Sequence, residues 1–85
     1  MSLRSFFHVR KQAKELAELT RSGIQLARAG RMSEARHKYV LARKYRQTVY
    51  TELSGHFGRE TAHKWDRKAA HMMTPLATMV SAWDV

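Results

Sequence analysis

Apolar and small residues recur at alternating intervals of three and four through Phe6, Val9, Ala13, Leu16, Thr20, Gly23 and Ala27. That period draws one face of a helix, so the spacing predicts a first helix over about 6–29. Leu19 and Leu26 widen the stripe on one side, Ala17 and Ile24 on the other. Gly30 suits the positive φ that ends a helix, and Ser33 has the hydroxyl that caps the next one. A second helix is predicted over about 34–53, with Ala35, Tyr39, Ala42, Tyr45, Val49 and Leu53 facing inward. The corner between the two is short, so they fold back antiparallel. This sets Ala27 opposite Ala35, Gly23 opposite Tyr39, Thr20 opposite Ala42, Leu16 opposite Tyr45 and Ala13 opposite Val49, small against large along one seam. Gly23 inside a helix costs about 1 kcal/mol relative to alanine. A close crossing by the second helix accounts for that cost.

Ser54-Gly55-His56-Phe57-Gly58 breaks the pattern and predicts a turn, from which Phe57 plugs the end of the core. A third helix is predicted over about 59–73, with Ala62, Trp65, Ala69 and Met72 on one face. Thr74-Pro75 then reads as punctuation, because proline lacks a backbone donor but suits the first position of a new helix. A short fourth helix follows over about 75–83, carrying Leu76, Met79, Val80 and Trp83 at helical spacing, with Asp84 the only charged side chain of the segment. The expected fold is all-α, an antiparallel helical hairpin plus a third helix and a short C-terminal fourth helix, in a single domain over 1–85. A segment so short and apolar requires cover, from the chain's own core, from a partner or from a second copy in a homodimer.

Charge narrows the class of partner. Sixteen Lys and Arg against seven Asp and Glu give a formal net charge of +9, which favours nucleic acid, an anionic membrane surface or an acidic protein face. The absence of cysteine excludes disulfides and thiolate metal sites. No apolar run approaches the roughly 20 residues of a transmembrane helix. The first residues place apolar before basic side chains, the reverse of a secretory signal, so a cytoplasmic location is expected.

Little in the chain builds a catalytic site. His8, His37, His56, His63 and His71 include no pair three or four residues apart, as two metal ligands on one helix require. Asp66 and Asp84 are the only aspartates, and Glu60 and Asp66 fall on different helix faces. No enzyme activity, cofactor or metal is expected. Binding is the better-supported role. Arg10, Lys14, Arg21 and Arg28 recur along one edge of the first helix, and Arg36, Arg43 and Lys44 along the second. Adjoining, these edges would form one positive face for phosphates or for an acidic protein. Met79, Val80 and Trp83 are the apolar contact residues. Tyr39, Tyr45 and Trp65 sit at core spacing, which leaves Tyr50 the freer ring for stacking on a single strand.

The pattern Gly23, Gly30, Ala35, Tyr39 and Ala42 resembles one tetratricopeptide unit, with small residues where two helices cross. Ala27 to Gly30, Ala35 with Tyr39 and Ala42, and Trp65 with Arg67 resemble the ANR family of small bacterial regulators, named for aggregate-negative regulation, and the related PerC-like regulators. The second helix is about two turns longer than that pattern, and His71 stands where it commonly has a cysteine. The resemblance implies a non-enzymatic regulator that binds other proteins, among them AraC-type activators and nucleoid-structuring protein. The alternatives are a nucleic-acid-binding protein using the basic edges, and a phage- or plasmid-encoded inhibitor of a host enzyme.

Overall fold

The computed structural model describes residues 3–83, with side chains from Phe6 to Trp83; Asp84 lies outside the described residues. Three helices follow one another, α1 (Leu3–Arg28), α2 (Met32–Phe57) and α3 (Arg59–Trp83). No strand occurs among the described residues.

The corner after α1 is a Schellman turn. Gly30 adopts φ +81°, its N–H donates to the Ala27 carbonyl at 3.1 Å, and the Arg31 N–H donates to the Leu26 carbonyl at 2.9 Å. The expected serine cap is absent. Arg31 occupies the cap position without a side-chain cap bond, and exposed Ser33 lies inside the first turn of α2. Arg31 instead donates to the Glu34 carboxylate at 2.7 Å, which anchors an acid at the positive end of the helix dipole.

The second break is far shorter than the sequence predicts. α2 continues through Ser54 and Gly55 to Phe57, and Gly58 alone separates it from α3. Gly58 adopts φ +92°, donates to the Ser54 carbonyl at 3.1 Å and accepts from the Ala62 N–H at 3.2 Å. One glycine thus closes one helix and opens the next. Phe57 does not plug the core; it is 50% exposed.

The expected fourth helix is not a separate element, because α3 runs unbroken through Pro75. Proline removes the bond its N–H would donate to the His71 carbonyl, and both Pro75 and His71 lie on the exposed side of α3. Buried Met73 precedes it and buried Leu76 and Val80 follow, so core packing holds both sides of the proline in one line. Ala62, Ala69, Met73, Leu76 and Val80 form the inward stripe, and Met73 rather than Met72 enters the core.

α2 lies between its neighbours. Ala35, Ala42 and Val49 are fully covered along it, and two adjoining apolar clusters form the core. One joins Leu16, Ala42 and Met73 with Leu19, Tyr39, Tyr45 and Trp65 packed around them. The other joins Ala35, Leu76 and Val80 with Ile24, Leu26, Ala27 and Tyr39. Gly23 sits at the tightest crossing. A Cβ there would come within 2.6 Å of Leu76 Cδ2 and 3.3 Å of Lys38 Cβ, so glycine admits α3 as well as α2.

Candidate interaction surface

Packing Ala35, Ala42 and Val49 inward turns Arg36, Val40, Arg43, Lys44 and Gln47 outward at intervals that keep them on one side of α2. Two shallow depressions meet at Val40 on this side. Ser22, Leu26, Glu34, Arg36, His37 and Trp83 border one; Arg43, Lys44, Gln47, Tyr50, His63 and Asp66 border the other.

The second depression is braced across α2 and α3. Arg46 holds Asp66 in a two-pronged pair, Nε to Oδ1 at 2.6 Å and the terminal nitrogen to Oδ2 at 2.9 Å. The hydrogen bond from Arg46, helped by its charge, keeps the Asp66 carboxyl below the usual carboxylate range and raises the guanidinium of Arg46 in turn. One turn on, the Tyr50 hydroxyl and His63 Nε2 are 3.2 Å apart and the rings 5.3 Å. Tyr50 is therefore half-buried and bonded, not the free stacking ring the sequence suggested. Arg43 lies 5.8 Å above the Tyr39 ring, a cation–π contact worth about 0.5–1 kcal/mol where exposed.

The structure brings Arg36, Arg43 and Lys44 together on this exposed side. Arg10, Lys14, Arg21 and Arg28 are exposed too, but on another flank. Besides the core residues, the α1 residues that meet α2 include His8, which pairs with Glu52 at 3.5 Å, Gln12 and Glu15 beside Tyr45, and Ser22 and Leu26. At 100° per residue the four cations lie roughly 140° around the axis from these. The two basic edges therefore do not adjoin, since the seam between α1 and α2 is taken up by the other side of each helix. Among the apolar contact residues, Val80 is 4% exposed and belongs to the core, Met79 is half-buried and Trp83 is 48% exposed. Val80 is unavailable to a partner because α1 and α2 already cover it.

Sequence reasoning passed over Val40, exposed between cations, and the Arg46–Asp66 brace. An apolar residue on the polar side of α2 was the available signal for the first. The brace joins residues 20 apart and has no local signature. Among the described residues no group of three or more His, Asp or Glu side chains is placed to hold a metal ion, and no helix is long and apolar enough to cross a membrane. Compared with protein-family models, curated proteins and solved structures, the chain matches none of them.

Proposed function

We propose that this protein is a small, non-enzymatic cytoplasmic regulator that binds an acidic surface of a protein partner through the outward side of α2. The observation that carries this reading is the grouping of Arg36, Arg43 and Lys44 around exposed Val40. Of the carboxylates that border the two depressions, Glu34 is held by Arg31 and Asp66 by Arg46. A cationic surface with an apolar centre suits a protein face, because the apolar contact adds affinity that screening by salt does not remove. The resemblance to ANR- and PerC-like regulators suggests the class of partner, transcription factors or nucleoid proteins.

Nucleic acid is the second reading. It is favoured by the additional exposed cations of α1, since phosphate binding tolerates a distributed charge. A capture experiment from bacterial lysate separates the two. The wild-type chain is expected to retain a defined protein after nuclease treatment, and the Arg36→Glu/Arg43→Glu/Lys44→Glu variant, of unchanged helicity, is expected to lose it. Retention by the variant would mean that this side of α2 is only solvated surface. Loss on nuclease treatment would assign the surface to nucleic acid.

A further inference from the structure

α1 and α3 touch each other less than either touches α2, and by helix geometry their seam lies on the flank of each that is opposite its bonds to α2, made by His8 on α1 and by His63 and Asp66 on α3. Its floor is apolar. By helical position Ala13, Ala17 and Ile24 fall on that flank of α1, and Trp65, Met72 and Met79, at intervals of seven residues, on that flank of α3. All but Met72 are half-buried, and Met72 is 39% exposed. Both rims are cationic. Arg10, Lys14, Arg21 and Arg28 run along α1 just outside the floor, and Lys64 and Lys68 run along α3. Glu18 lies one turn from Lys14 and Glu60 one turn from Lys64, so four cations face one acid along the α1 rim and two face one along the α3 rim.

We propose that this seam is a docking groove for an acidic amphipathic helix of another protein. The proposal concerns a different surface from α2's outward side and does not depend on it. Charge decides the occupant. A second copy of the chain would bring the same cationic rims together, at a repulsive cost. A planar lipid surface would meet the exposed rims before the recessed floor. An acidic helix answers both layers, its apolar stripe on the alanines and methionines and its carboxylates on the rims. Methionine adapts to the stripe it meets, while Ala13 and Ala17 permit a close axis-to-axis approach. A helix of roughly 18 residues spans about 27 Å, within the 42 Å length of the molecule.

The test uses the full chain and a labelled synthetic peptide of roughly that length, leucine at helical spacing and glutamate elsewhere. Its comparators are a scrambled peptide of the same composition, phosphatidylglycerol vesicles, and sedimentation of the chain alone. The helical peptide is expected to bind with micromolar affinity and to shift amide resonances along α1 and α3. Met72→Glu, and separately Lys64→Glu/Lys68→Glu, should each weaken binding about tenfold or more. Arg43→Glu/Lys44→Glu should leave it within about twofold, so that failure here and failure of the α2 surface are read independently. Equal binding of the scrambled peptide would reduce the effect to bulk charge and overturn the proposal. So would indifference to Met72→Glu, shifts confined to α2, tighter binding to vesicles than to peptide, or self-association that fills the seam.

Discussion

Gly23→Ala puts the close approach of three helices to a quantitative test. In an open helix the change stabilises by about 1 kcal/mol, since alanine loses less backbone entropy than glycine. Here the added carbon would stand 2.6 Å from Leu76 Cδ2 and 3.1 Å from Cδ1, and Leu76 has no exposed surface into which to retreat. Overpacking of this kind costs about 1–3 kcal/mol. The net expectation is a loss of about 0–2 kcal/mol, near 1 at the centre, or a fall in Tm of about 4–8 °C for each kcal/mol. Because two opposing effects of similar size meet, the informative measurement is a double-mutant cycle with Leu76→Val, which removes both Cδ atoms and by itself costs about 1 kcal/mol. In that background the clash is gone, apart from Lys38 Cβ at 3.3 Å, and Gly23→Ala should turn stabilising. Urea unfolding followed by helicity gives all four free energies. A Gly23→Ala gain of about 1 kcal/mol in the wild-type chain, unchanged when residue 76 is valine, would refute the crossing.

Asp66→Ala should cost about 1–2 kcal/mol at neutral pH, the value of a charge-assisted pair discounted for its partial exposure. Because Arg46 lowers the Asp66 carboxyl, the stabilisation is present above the ordinary carboxylate value and is lost as pH falls through the lowered one. Wild type and variant should therefore converge in acid unfolding once the pH has fallen through that lowered value, and a gap that persists after the carboxyl is protonated would disprove the linkage. Pro75→Ala restores the bond to the His71 carbonyl and should raise stability by about 1–2 kcal/mol, a gain trimmed by the freer unfolded chain. Destabilisation instead would mean that the proline geometry is what seats Leu76.

The first two helices and their corner were legible because local signals agreed. The stripe from Val9 to Ala27 has one period, and Gly30 supplies the left-handed turn it was expected to supply. Errors arose where a local rule met tertiary packing. Gly55 and Pro75 are breakers by propensity, yet each sits inside a helix: the core residues Met73 and Leu76 continue on both sides of Pro75, whereas after Gly55, which lies beyond Val49, the last buried residue of α2, the helix runs on to Phe57 and the break falls at Gly58. The stripe at 62, 69, 73, 76 and 80 was readable across the proline, and outweighed it. The cap failed differently: Ser33 had the right hydroxyl, but the helix began one residue before it.

The interaction surfaces were less legible because their composition depends on how helices rotate about one another. Arg10 to Arg28 and Arg36 to Lys44 were found as two edges, but which edges meet is fixed by α3, whose Leu76 enters at Gly23 and leaves α1's cations on the side away from α2. Once so divided, the two basic surfaces differ in what lies beneath them. Around Val40 one exposed apolar side chain sits among the cations, so the Coulombic part of any attraction there is screened beyond a Debye length of about 10 Å at 0.1 M salt and only that one contact escapes screening. Between α1 and α3 the cations flank half-buried apolar side chains with exposed Met72 among them, and burying those side chains does not depend on ionic strength in the same way. On the two proposals above, similar charge on two surfaces would serve recognition in two ways, one by steering and one by seating.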